Sequence, residues 1–214
     1  PLLVAATPAP RADPATLKRT ISALVGFGTR HTLSTTTDPN RGIGAARRWT
    51  AAQFEAIGRD CSGCLKIETI GRDFTGPRAP NGVRVEDVIA IQQGTGDPNR
   101  VVIVQGHIDS RVTDVMNATS DAPGANDDGS GTAAVIEAAR VLSKRKFPAT
   151  IVYAVLSGEE QGLLGGKILA DHARAQGWNV VANLNNDIIG NSCGSDGSYY
   201  YVRSGDTIRV TSSS

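Results

Sequence analysis

Three short segments place imidazole and carboxylate groups just after apolar runs. Gln105-Gly-His107-Ile-Asp109 follows Val101 to Val104, Ser157-Gly-Glu159-Glu160 follows Ile151 to Leu156, and Asn186-Asp187 follows Val180 to Asn185. A glycine-rich turn, Gly124-Ala-Asn-Asp127-Asp128-Gly-Ser-Gly131, lies between the first two. Taken singly, each group has an ordinary use: a strand-end histidine hydrogen-bonds, an Asp-Asp pair caps a helix, and paired glutamates suit a first helical turn. Taken together they put several like charges on one rim, where they repel unless a cation neutralises them. Mixed imidazole and carboxylate ligands suit Zn²⁺, and one carboxylate can bridge two metals about 3.5–4 Å apart. The spacing of His107 and Asp109 fits an imidazole whose second nitrogen is fixed by a carboxylate. Glu159 and Glu160 are adjacent and should point apart, one binding metal and the other facing an attacking water as general base.

Such a rim needs parallel strands, because functional groups of open α/β sheets gather beyond the strands' carboxyl ends. From residue 100 the pattern supplies them. Val101 to Val104, Thr150 to Leu156 and Val180 to Asn185 read as strands, separated by helical spacing over Gly129 to Leu142 and Leu163 to Gln176, an order of βαβαβ. Before it, Asp13 and Pro14 open a helix running to about Val25. A second helix is expected from Gly44 to Ile57, with Gly58 as its C-terminal cap and Trp49, Phe54 and Ile57 buried. Leu65 to Ile70 and Val83 to Gln92 then suggest a hairpin with a long link, Gly71 to Gly82. The fold class expected is α/β, with a mostly parallel, doubly wound central sheet flanked by helices.

The chain has 214 residues, 40% of them hydrophobic and 20% charged, which suits one globular domain rather than disorder. A formal net charge of +1 offers no field for nucleic acid or an anionic membrane, and no apolar run approaches a membrane-spanning length. The chain starts at Pro1 without the features of a signal peptide, so N-terminal processing is expected. Residues 1–13 read as an arm and 14–214 as the folded domain. Cys61 and Cys64 leave a disulfide, a redox pair or half a zinc site open. A disulfide is favoured, because no second pair of soft ligands is near, and it points to a secreted or periplasmic location.

The four motifs, in this order and spacing, resemble those of the M28 family of co-catalytic dizinc aminopeptidases. The likeness covers about residues 14 to 205, including Gly28-Thr-Arg-His-Thr32 and the helix near Trp49. It implies two zinc ions: His107 and Asp187 on one, Glu160 on the other, and Asp127 bridging them. It also implies Glu159 as the base, Asp109 as the partner that orients His107, Asp128 as a neighbour of the bridge, and a cis peptide between Asp127 and Asp128. The implied substrate is a peptide or small-protein N-terminus. In such enzymes a histidine from the C-terminal third closes the second zinc site, and no histidine follows His172 here. The catalytic domain is therefore expected to be incomplete at its C-terminus, with the Asp127–Glu160 site the weaker and peptidase activity of this chain slight. His172 reads as an exposed helix-end residue. Two alternatives stay open: a single-zinc transferase similar to glutaminyl cyclases, and an inactive binding module on the same scaffold. Dinucleotide binding has no glycine fingerprint to support it.

Overall fold

The computed structural model describes residues 11–190. Its elements run α1 (Pro14–Gly26), α2 (Gly42–Asp60), β1 (Leu65–Gly76), β2 (Ala79–Gln92), β3 (Arg100–His107), α3 (Gly129–Leu142), β4 (Thr150–Leu156), α4 (Leu164–Ala175) and β5 (Asn179–Asn185). The strands form one sheet in the order β1-β2-β4-β3-β5. β3 pairs in parallel with both β4 and β5, as the βαβαβ pattern requires, while β2 joins β4 and β1 antiparallel. The α/β class is the one expected, and the sheet is mixed: its β4-β3-β5 part is parallel and the hairpin extends it antiparallel.

Alternation along the strands assigns one face to each layer of helices. Val88, Ala90, Val104, Ile151, Tyr153 and Val155 pack against Leu24 of α1, Phe54 of α2 and Val135 of α3. Ile89, Val101, Ile103, Val152 and Ala154 point the other way, onto Leu169 of α4. β4, central and apolar on both faces, is buried at every residue from Thr150 to Leu156. α1 starts as its sequence predicts: the Asp13 carboxylate accepts from the N–H groups of Ala15 and Thr16.

Two boundaries differ from the sequence reading. α2 runs from Gly42 to Asp60 and is capped at Cys61. Gly58 is an interior residue whose bare Cα faces Leu65 and Ile67, because tertiary packing outweighs its low helix propensity. The Gly71 to Gly82 link is likewise mostly strand. β1 and β2 pair through Phe74 and Val83 and turn at Pro77 and Arg78. Arg84 pairs across the strands with Asp73, while Arg72 over the Phe74 ring and Arg84 beside Glu86 add contacts along each strand, and together they offset the turn-forming composition. This longer hairpin reaches the rim: Arg78 Nη1 donates to Glu160 O at 2.7 Å.

Cys61 and Cys64 form a disulfide. Cys193 lies outside the described residues.

Candidate metal centre

β3, β4 and β5 deliver their carboxyl ends to one rim. There His107 Nε2 lies 3.3 Å from Asp127 Oδ1, 3.8 Å from Asp187 Oδ1 and 3.9 Å from Glu159 Oε2. The ring is almost wholly buried, whereas the Asp127 and Asp187 carboxylates are partly open to solvent. His107 Nδ1 faces the Asp109 carbonyl at 3.1 Å, so the other ring nitrogen is the one turned to the carboxylates.

Asp109 is fully buried and holds the site together. Its carboxylate lies 3.5 Å from His107 Nδ1 and accepts from Thr32 Oγ1 at 2.9 Å. It also accepts from the N–H groups of Glu159 and Glu160, at 3.1 Å each, tying the β4 exit to the β3 exit. Burial disfavours its charge, yet the His107 ring, the Thr32 hydroxyl and the Glu160 N–H hold its carboxyl below the ordinary value. For His107 burial again opposes the charged form. The hydrogen bond and charge of Asp109, with the charges of Asp128 and Glu159, overcome it and raise the ring to about 10. Glu159 is pushed up, chiefly by burial, which suits a group that must accept a proton near neutrality.

The peptide between Asp127 and Asp128 is cis, as the resemblance implied. One oxygen of each of Asp128 and Asp187 and one His107 nitrogen also lie within 4.8 Å of one another, a grouping that could hold a metal. The Asp128 side chain is already engaged, however. Its Oδ1 accepts from Gly131 N–H to cap α3, and its Oδ2 accepts from His107 N–H. Burial raises it to about 6, against the pull of His107 and these N–H groups. Asp127, with no such bond among the described residues, brings its Oδ1 within 3.3 Å of Nε2.

The two glutamates part as adjacency demands. Glu159 turns to His107, while Glu160 receives Arg111 Nε at 2.5 Å. His107, Asp127, Glu159 and Asp187 therefore come together directly, and Glu160 stands beside them on Arg111. His172 packs edge-on against Trp178, with ring centroids 5.3 Å apart, and is half-buried rather than exposed. His31 is buried, its Nδ1 accepting from Leu33 N–H and its Nε2 meeting Gln161 Nε2 at 3.0 Å. Sequence reading assigned no role to Arg30, Thr32 or Arg111: the run Gly28-Thr-Arg-His-Thr32 entered only as part of the family likeness, and nothing marked Arg111.

Known proteins resemble this chain in sequence and in fold. Residues 87–211, more than half of the chain, match the model of peptidase family M28. A probable zinc metalloprotease of Pyricularia oryzae is 49% identical over 186 residues, covering 86% of this chain and 37% of that protein. Another, of Leptosphaeria maculans, is 47% identical over 180 residues, covering 83% of this chain and 41% of that one. The chain thus spans about two fifths of the length of these relatives. Among solved structures, LapB of Legionella pneumophila superposes with a TM-score of 0.69 at 21% identity, covering 87% of this chain and 46% of LapB. A glutaminyl cyclase of Bacteroides thetaiotaomicron gives 0.68 at 20% identity, covering 86% and 65%. A leucine aminopeptidase precursor from the same species gives 0.69 at 20% identity, covering 86% and 66%. These superpositions speak for the fold, and the sequence match speaks for the lineage: the chain belongs to peptidase family M28.

Proposed function

We propose that the protein of which this chain is part is a zinc-dependent exopeptidase that removes N-terminal residues from peptides or small proteins. The observation that carries this reading is the convergence of Asp127, Asp187 and Glu159 on His107 Nε2. The donor set fits zinc: one imidazole whose other nitrogen is oriented from behind, and two carboxylates within 3.8 Å of its free nitrogen. His107, Asp127 and Asp187 would hold one ion, and Asp127 with Glu160 a second, weaker one. Zinc, when bound, lowers the pKa of a water ligand and polarises a carbonyl oxygen. Glu159 then takes the proton of the attacking water and passes it to the leaving amine. Asp109 keeps the His107 tautomer and, through the N–H groups of Glu159 and Glu160, the direction of the base. The Cys61–Cys64 disulfide supports a secreted or periplasmic location.

A single-zinc cyclase has one observation in its favour: Glu160 is engaged by Arg111, leaving three ligands on one metal. The full-length protein separates the two readings. Release of free amino acid from aminoacyl chromogenic substrates, with two zinc ions per chain, supports the exopeptidase. Ring closure of N-terminal glutamine with one zinc contradicts it.

A further inference from the structure

Four consecutive residues behind the rim, Thr29, Arg30, His31 and Thr32, are all buried. Among the described residues the Arg30 guanidinium forms no ion pair within 4.0 Å and spends its donors on main-chain carbonyls. Nε donates to Ile108 O at 2.6 Å, Nη1 to Leu24 O at 3.0 Å and Pro123 O at 2.8 Å, and Nη2 to Gly124 O at 2.9 Å. Ile108 lies between His107 and Asp109, and Gly124 opens the turn that carries Asp127. One planar group therefore fixes the separation of the two segments that face each other across Nε2. The turn packs closely beside it: Gly124 has a φ of +46°, and a Cβ there would come within 2.5 Å of Asp127 O, 2.6 Å of Ser110 Cβ and 2.9 Å of Arg30 Nη2. Burial pulls the guanidinium down to about 10, and the charges of Asp109, Asp128 and Asp127 support it from the rim side. Two residues on, Thr32 Oγ1 bonds the Asp109 carboxylate that in turn holds Glu159 and Glu160.

We propose that Arg30 and Thr32 are positioning residues of the zinc site, Arg30 setting the distance between the His107 and Asp127 segments and Thr32 setting Asp109 against the Glu159–Glu160 loop. The proposal rests on the zinc reading above. Lysine keeps the charge at position 30 but not the planar fork that reaches carbonyls of three segments at once, so the role is specific to arginine. Ligand placement within about 0.5 Å decides metal affinity, and loss of groups that orient the ligands typically weakens it about 10–100-fold.

The test uses the full chain stripped of metal, with R30K and T32V beside it. Zinc affinity is measured by competition with a chromogenic chelator, ligand geometry by the visible spectrum of the Co²⁺ form, and folding by circular dichroism and the unfolding midpoint. The expected result is a zinc Kd at least about tenfold weaker for R30K and severalfold weaker for T32V, with shifted Co²⁺ bands in both. Unchanged Kd and Co²⁺ bands in both variants overturn the proposal, even if their unfolding midpoints fall. If R30K does not fold, T32V, which loses only a hydroxyl, decides alone: a native Kd and spectrum overturn it. An unaltered chain that binds no zinc defeats the function reading and this inference together, whereas zinc binding indifferent to both substitutions defeats the inference only.

Discussion

The two ends of the sheet are made by the same strands and treat charge in opposite ways. At the carboxyl ends of β3, β4 and β5, His107, Asp109 and Asp128 are buried and their charges converge on one ring. At the other end, Lys144 and Lys146 lie exposed between α3 and β4, near the Cys61–Cys64 disulfide. An exposed cation is solvated and needs no particular partner. A buried set of acids must be neutralised, capped by main-chain N–H groups or shifted in pKa, and this rim shows all three responses. Function should therefore be lost by changes at one end, and only stability at the other.

The largest effect should come from the paired glutamates. In the full-length protein, Glu159→Gln should lower turnover by at least about 10²-fold, and up to about 10⁴-fold, with zinc content nearly intact, because an amide cannot accept the proton. Glu160→Gln should lose zinc as well. Turnover and metal analysis on the same preparations check this, and equal zinc loss in both would merge roles that the structure separates.

Next comes a buried acid behind the same rim. Asp87 Oδ1 accepts from Ser157 N–H at 2.8 Å, but its Oδ2 has no partner, and burial raises it from 3.8 to about 7. The folded state thus holds this proton more tightly than the unfolded chain. Its stabilising contribution is full below about pH 4 and is lost as pH rises through about 7, at about 1.4 kcal/mol per pH unit. Asp87→Asn should abolish that slope. Urea unfolding between pH 4 and 8 should show a steeper fall in stability for the native chain than for the variant, which keeps the raised Asp128, and parallel curves would refute the assignment.

Smaller effects belong to the opposite end and to the surface. Replacing both Cys61 and Cys64 by alanine opens a loop whose ends are three positions apart, and should cost about 2 kcal/mol in unfolding free energy. Zinc affinity should not change. A change there would break the contrast between the two ends. Arg72→Ala removes an exposed pair with Asp171 across the hairpin and α4, and a thermal shift worth more than about 1 kcal/mol would be unexpected.

Much of this architecture was legible in the sequence because it is local. Continuous apolar runs and helical spacing placed every element after residue 100, and the acids fell at strand ends where parallel topology collects them. The hairpin length was not legible, since Gly71 to Gly82 has the composition of a turn and becomes strand only through pairing of Arg72 to Phe74 with Val83 to Val85. Arg30 was hidden for a different reason. Its acceptors are main-chain carbonyls at Ile108, Pro123 and Gly124, 78 to 94 residues away, and a carbonyl carries no side-chain signature. The preference for Asp127 over Asp128 came from the resemblance alone; the bonds from Gly131 and His107 that engage Asp128 are long-range or conformational and leave no mark in the sequence.

The central claim, that zinc sits on His107 Nε2 between Asp127 and Asp187, is tested most directly by anomalous diffraction at the zinc edge from zinc-soaked crystals of the chain. The account predicts a peak about 2.0–2.2 Å from His107 Nε2 and from one oxygen each of Asp127 and Asp187. A peak bound through Asp128 in place of Asp127, or no peak at His107 at all, would contradict it.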